Sequence, residues 1–187
     1  MSNIEISYTE EMLHVKDNLN YKNIYELLDI IKSSKSDLNI LFLGRQKYDV
    51  ILELQNLLHH NVYQNHINGV LLLLEHDHVF TLGKNANSNH IINNPLNIDV
   101  FNTNRGGDVT YHGPGQLIGY PIINLNKFKK SISWYMRSLE NIIIKLLKNY
   151  NIDAVRKLDY PGVWIDDKKI CAMGVRISKW VTMHGFA

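Results

Sequence analysis

Arg105-Gly106-Gly107-Asp108-Val109-Thr110-Tyr111-His112-Gly113-Pro114-Gly115-Gln116 places four glycines and one proline in twelve positions. Glycine takes positive φ without steric penalty and has no Cβ to hold a ligand away, so such a run turns sharply and lets backbone approach another group. Among these glycines stand a cation, a titratable imidazole and several backbone N–H donors. That set suits a polarised or anionic group. The plainer reading is a β-hairpin turning at Gly113-Pro114-Gly115. Gly113 and Gly115 are expected to need φ > 0, and Gly106 and Gly107 to be glycine because a ligand lies against them.

Outward from this loop, Leu117 to Leu125 continues as an apolar strand, and three more blocks carry the same kind of punctuation. They are Leu43-Gly44 with Tyr48; Leu74-Glu75-His76 through Phe80-Thr81-Leu82-Gly83; and Pro161-Gly162-Val163-Trp164 followed by Lys168 to Arg176 and His184-Gly185-Phe186-Ala187. In this order the blocks resemble the lipoyl(octanoyl) transferases, the octanoyl-acyl carrier protein:protein N-octanoyltransferases, from about Asn39 to Ala187. Several multi-residue blocks in sequence are far more specific than a lone glycine motif. The resemblance implies an α+β fold in which helices flank a mixed central β-sheet, as in the biotin/lipoate protein ligase catalytic domain. Residues 1–38 then read as a partly helical N-terminal extension, packed on the domain or loosely attached, and 39–187 as the catalytic domain with its C-terminal part missing.

Periodicity gives the element order. Ile24, Leu27, Leu28 and Ile31 predict an amphipathic helix over Tyr21–Ser33, and Val50, Ile51, Leu54, Leu57 and Leu58 another over Tyr48–His59. Asn39–Leu43 reads as a strand, and Gly69–Glu75 as a buried central one. Residues 84–104 read as a long Asn-rich loop, which the resemblance lets border the site. Gln116–Leu125 is strand-like. Ser131 is a candidate N-cap for a helix to Tyr150, whose apolar side carries Ile132, Tyr135, Leu139, Ile142, Ile143, Leu146 and Tyr150. Val163–Ile165, a turn at Asp166-Asp167, and Lys169–Ile177 form a hairpin, and a last strand includes Trp180–Ala187.

If Lys169–Ile177 is one strand, Lys169, Cys171, Met173 and Val175 share a face. A neighbouring ammonium favours a thiolate, and a fall in thiol pKa from about 8.5 to about 7 raises the ionised fraction at pH 7 roughly fifteenfold. The plainer reading of Cys171 is a small buried hydrophobe. In the family the acyl-carrying cysteine lies in a Pro-Cys-Gly segment well beyond the His-Gly-Phe-Ala motif. The resemblance therefore makes Lys169 the catalytic residue that lowers the pKa of a cysteine not present in this chain, and it expects the 187-residue chain to be inactive in transfer. It also assigns Arg105, Gly106, Gly107, Asp108, Val109, Thr110, Tyr111 and His112 to the substrate pocket. Ala172, Met173 and Gly174 form a second wall, and Gly185, Phe186 and Ala187 a third. The family usually has Gln where this chain has Asp108, so hydrogen bonding there differs.

The implied reaction moves an octanoyl or lipoyl group from acyl carrier protein to a lysine of a lipoyl domain, in the E2 subunit of a 2-oxoacid dehydrogenase or the glycine cleavage H protein. A thioester is already activated, so no ATP, metal or other cofactor is expected. Two alternatives stand beside this reading: an inactive fragment or acyl- or carrier-binding module, and an ATP-dependent lipoate or biotin protein ligase. The glycine loop lacks the Lys-Ser/Thr of a Walker phosphate loop.

Composition sets the outer limits. The chain has 187 residues, 45% hydrophobic and 20% charged, and a formal net charge of +2. That charge is too small to point to nucleic acid. Lys127, Lys129, Lys130, Arg137, Lys145, Lys148, Arg156 and Lys157 crowd one region, as a solvated face or a dock for an acidic protein such as acyl carrier protein. No apolar run reaches membrane-spanning length. The acidic N-terminus, with Glu5, Glu10 and Glu11, shows neither signal nor transit peptide, which together with the single cysteine suggests the cytoplasm, or the mitochondrial matrix or plastid in a eukaryote. His76 with His78 and His59 with His60 are the nearest approach to metal ligands, and no third ligand stands at a telling distance.

Overall fold

The computed structural model describes residues 6–9, 12–16, 18–94 and 97–187. Glu5, Glu10 and Glu11 lie outside the described residues, as do Pro95 and Leu96 within the expected loop. In chain order the elements are β1 (Ile6–Thr9), β2 (Met12–Val15), α1 (Asn23–Ser33), β3 (Asn39–Gln46), α2 (Tyr48–Tyr63), β4 (Gly69–His76), β5 (Val79–Leu82), β6 (Asp99–Asn102), β7 (Val109–His112), β8 (Ile118–Ile123), α3 (Ile132–Lys148), β9 (Val155–Lys157), β10 (Tyr160–Ile165), β11 (Lys168–Cys171), β12 (Met173–Ser178) and β13 (Val181–Phe186).

A seven-stranded mixed sheet runs β1-β2-β3-β4-β8-β13-β12. Its β2, β3 and β4 are parallel neighbours, while β4, β8, β13 and β12 pair antiparallel. Because alternate residues of a strand face opposite sides, β8 divides the interior. Ile118, Tyr120 and Ile122 join α1, α2, β3 and β4 in one core, and Ile123 packs with Tyr135 and Leu139 of α3 and with Met173, Val175 and Ile177 of β12. Thus α1 and α2 cover one face and α3 the other. Val15, Leu19, Ile24 and Leu27 belong to the first core, so β2 and α1 are tied to the sheet by burial as well as by strand pairing. Among the described residues no helix is long and apolar enough to cross a membrane.

Three expectations need correction. Residues 84–104 are not a bare loop: Ser88–His90 form a 3-10 turn, and β6, a strand the Asn-rich composition gave no hint of, pairs in parallel with β5, Phe101 against Thr81. The apolar side of α3 is narrower than its periodicity suggests. Tyr135, Leu139 and Ile143 are buried at i, i+4 and i+8, whereas Ile132, Ile142, Leu146 and Tyr150 remain exposed. Finally, Lys169–Ile177 is not one strand. Ala172 exchanges both backbone hydrogen bonds with Ala187, so β11 pairs with β10 in a small sheet, β11-β10-β9, while β12 passes into the large one. The Ser131 cap is as expected, its hydroxyl accepting from the Trp134 N–H at 3.2 Å.

Candidate functional site

β5 stands between β6 and β7 in a second small sheet, and the glycine loop spans the gap from β6 to β7. Arg105 fastens it. Its Nη2 donates to the Thr81 carbonyl and hydroxyl, both at 2.8 Å, and to the Asp108 carbonyl at 3.0 Å, while Nη1 donates to the Gly106 carbonyl at 3.0 Å. Arg105 is only 7% exposed, and no carboxylate pairs with it among the described residues. Burial pulls its pKa below the ordinary value, yet arginine keeps its charge in proteins. The Gly106 N–H donates to the Val175 carbonyl at 2.9 Å and joins the loop to β12. Glycine at two nearby positions permits this packing: a Cβ on Gly83 would sit 2.3 Å from the Gly107 carbonyl, and one on Gly174 3.0 Å from that of Gly106.

The loop, the start of β12 and the end of β13 enclose a cavity of about 210 Å³. Arg105, Gly107, Asp108, Val109, Thr110 and His112 line one side. Ala172, Met173 and Gly174 line a second, Gly185, Phe186 and Ala187 a third, and Lys169 also reaches it. Gly106 and Tyr111 lie elsewhere. Gly106 is turned toward β12, and Tyr111 is half exposed, its hydroxyl bonded to His78 and its ring stacked on that imidazole. The glycine expectations also shift. Gly107 and Gly115 have φ of +89° and +85°, but Gly113 does not; a Cβ there would stand 2.6 Å from the Tyr111 hydroxyl and would require that side chain to shift.

Tyr48, Tyr120 and His184 complete the lining without having been assigned a role from sequence. A hydroxyl in the otherwise aliphatic run Ile118-Gly119-Tyr120-Pro121-Ile122 was the available signal for Tyr120. Its hydroxyl donates to His76 Nε2 at 3.0 Å, because His76 Nδ1–H is committed to the Gln46 carbonyl at 2.9 Å. Burial depresses His76 to about 4 and pushes the Tyr48 phenol up to about 12, with Arg105 opposing the latter. His184, 2% exposed and at φ 58°, is driven to about 3 by burial first and by the charge of Arg105 next. Burial lowers His112 too, against its hydrogen bond to Gln116. At neutral pH the uncharged imidazoles and phenols of the cavity therefore stand beside the Arg105 and Lys169 cations and the Asp108 carboxylate.

Lys169 is exposed, with its ammonium 4.9 Å from the centre of the Trp164 ring. Cys171 is 5% exposed, and burial pushes its thiol up to about 11 in spite of the nearby Lys169 charge. It is not poised as a nucleophile. Asp108, at the position where Gln was expected, uses Oδ1 to accept from the Val109 and Asn87 N–H groups at 2.8 and 3.1 Å and Oδ2 to accept from His90. These bonds hold its carboxyl below the usual range, the Val109 N–H first, and tie the loop to residues 87–90. Of the basic cluster, Arg137 and Arg156 face the buried Glu140, and Lys157 pairs with Asp167. Among the described residues no three His, Cys, Asp or Glu side chains are placed to share a metal.

Residues 47–187 match the family described as the lipoyl protein ligase A/B catalytic domain. The octanoyltransferase of Gloeobacter violaceus is 48% identical over 118 residues, 63% of this chain and 53% of its own length. That of Solibacter usitatus is 47% identical over 150 residues, covering 78% of this chain and 68% of its own. The chain thus spans between about half and two thirds of the length of these curated relatives. Among solved structures, P. falciparum LipL1 in complex with lipoate aligns with a TM-score of 0.59 over 79% of this chain and 47% of the other, at 23% identity. At that identity the likeness speaks to the fold.

Proposed function

We propose, for a chain that belongs to the lipoyl protein ligase A/B catalytic-domain family and within it to the octanoyltransferases, that the cavity holds the acyl chain of octanoyl-acyl carrier protein and that the octanoyl or lipoyl group passes to a lysine of a lipoyl domain. The observation that carries this reading is convergence: the glycine loop and, about sixty residues later, both strands of the β12–β13 hairpin, with Lys169 beside them, meet at one cavity. At about 0.8 kcal/mol per methylene, burying an octanoyl chain there contributes roughly 5 kcal/mol.

A thiolate attacks the thioester carbonyl and expels the carrier's thiolate, leaving an acyl-enzyme; the acceptor amine then attacks that thioester, expels the enzyme thiolate and forms the amide. Lys169 is the residue we assign to holding the attacking thiol ionised, because an ammonium at the mouth of the cavity lowers the cost of the anion. Cys171, the single cysteine of the 187 residues, is too buried to be that thiol. Arg105 shapes the loop and gives the wall its positive potential. The acceptors on this reading are the lipoyl domains of 2-oxoacid dehydrogenase E2 subunits and the glycine cleavage H protein.

Thermal shift separates transferase from ligase. Octanoyl-acyl carrier protein at about a hundred times its Kd should stabilise the chain by about 2.7 kcal/mol, raising Tm by roughly 5–10 °C. ATP with lipoate should leave Tm unchanged. The opposite pattern would make the protein a ligase.

A further inference from the structure

The acyl cavity crosses the sheet. Lys169, Ala172 and Gly174 stand at its β11–β12 end, followed by His184 of β13 and Tyr120 of β8, in the order in which β12, β13 and β8 lie. It also reaches Tyr48, the first residue of α2, whose ring packs edge-on against His76 at the end of β4, the next strand, with 5.1 Å between centres. On the acyl-transfer reading, from which this inference follows, the carboxyl end of the chain is tied to a carrier protein too large to enter. The chain goes in tail first past the exposed Lys169, and its far end points toward Tyr48.

Behind Tyr48 there is more space. A second cavity, of about 200 Å³, is lined by Lys47, Asp77, His78, Asp99 and Phe101 among others, and the first four of these are exposed, so it faces solvent. Among the described residues, Tyr48 is the one that lines both cavities. Its side is 4% exposed, and its ring is backed by Phe101, 5.2 Å between centres, and flanked by His112, stacked at 13° and 6.5 Å. One packed side chain thus stands between the end of the acyl cavity and a space that could receive more of a chain.

Each methylene taken out of water strengthens binding about fourfold, so a channel without an end would favour ever longer chains. A wall stops that gain. A further carbon must displace a ring held on three sides, and overpacking a close-packed interior is unfavourable. We propose that Tyr48 is the length stop of the acyl cavity: its ring ends the path of the tail at medium length, and longer chains enter the second cavity once the ring is withdrawn. Tyr48 determines specificity and takes no part in the chemical step. Phe101, which lines only the second cavity, is a positioning residue that holds the ring forward.

The test is titration calorimetry of this chain with the N-acetylcysteamine thioesters of hexanoate, octanoate and dodecanoate. Wild type should bind the octanoyl form about tenfold or more tightly than the dodecanoyl form. Tyr48→Ala should bring the two within about threefold or reverse their order, because the surplus carbons pass into the second cavity. Phe101→Ala should move the ratio in the same direction by a smaller factor, and Tyr48→Trp should move the preference from octanoyl toward hexanoyl, so that the outcome does not hang on one variant folding. A wild type that binds dodecanoyl as tightly as octanoyl, or a ratio unmoved in the folded variants, overturns the proposal and leaves the acyl cavity in place. If no thioester binds wild type, the acyl-cavity reading fails and this one falls with it.

Discussion

Arg105 and Thr81 meet twice, one guanidinium nitrogen lying 2.8 Å from both the carbonyl and the hydroxyl of the threonine. The contact joins a loop residue to the middle of β5, and two more carbonyls of the loop close on the same guanidinium. Lysine offers a point charge and cannot reproduce such a fork. We expect Arg105→Lys to leave several carbonyls without a donor and to lower stability by about 2 kcal/mol, a Tm shift of roughly 4–8 °C. Octanoyl-thioester affinity should fall with it. A variant with unchanged melting and affinity would show that the fork is not what orders the loop.

Gly83 and Gly106 separate steric need from sequence signature. A Cβ on Gly83 would be 2.3 Å from the Gly107 carbonyl, and one on Gly106 meets only the Val175 carbonyl at 3.6 Å. Overpacking against backbone costs about 1–3 kcal/mol. Gly83→Ala should therefore destabilise by that amount, while Gly106→Ala stays within about 0.5 kcal/mol of wild type, as urea denaturation would register. Equal losses in the two variants would contradict the packing.

The sequence exposed the elements whose apolar period matches one buried surface. In α2, Val50, Ile51, Leu54 and Leu58 all pack inward, and β4 is a continuous apolar run because the sheet is covered on both faces. It misled where a partner far along the chain decides the outcome. β6 exists by pairing with β5, and the break at Ala172 exists because Ala187 takes both of its backbone bonds. Neither partner is legible in local composition. At the site, the motif brought the loop and the ends of two strands together on paper. The buried ring of Tyr48, Tyr120 and His184 comes from strands and a helix whose polar members look like isolated exceptions in apolar runs.

Acid should weaken the fold through two histidines. His76 and His184 titrate near the ordinary 6.5 when unfolded, but near 4 and 3 when buried in the native protein. Below pH 6.5 the unfolded chain takes protons that the native chain refuses, so stability is full above 6.5 and falls as pH drops toward 4 and 3. Between pH 7.5 and pH 5 the loss is roughly 2 kcal/mol per histidine. Urea titrations at those two pH values measure it. His76→Gln should flatten the slope, and a wild-type stability independent of pH in this range would contradict the neutral, buried assignment.

Lys169→Ala should abolish octanoyl transfer to a lipoyl domain in any form of the protein that performs it, with melting unchanged, since the lysine is exposed and lines the cavity. Lys168→Ala removes the same charge one residue earlier, at a position that does not line it. Its rate should stay within a factor of two or so of wild type. Comparable losses in the two variants would mean that net charge, and not the placement of Lys169, is what the reaction uses.

Cys171 gives the sharpest contrast between a residue that looks reactive in sequence and one that is inert in the fold. Its thiol stands near 11 because burial outweighs the charge of Lys169, so at pH 8 the thiolate fraction is about a hundredfold lower than for a thiol at 9.0. Iodoacetamide should therefore alkylate the native chain at pH 8 at least a hundredfold more slowly than the chain in urea, and the native rate should climb tenfold per pH unit up to about 11. Incubation with octanoyl-acyl carrier protein, followed by intact-mass measurement, should show no acyl adduct on these 187 residues. The lysine beside Cys171 does not alter this outcome, because a surface ammonium screened by water cannot offset the desolvation of a thiolate packed with Val163 and Ile143. An octanoyl adduct on Cys171 that passes its acyl group to a lipoyl-domain lysine would reverse the assignment: Cys171 would be the nucleophile, and the thiol served by Lys169 would lie two residues away.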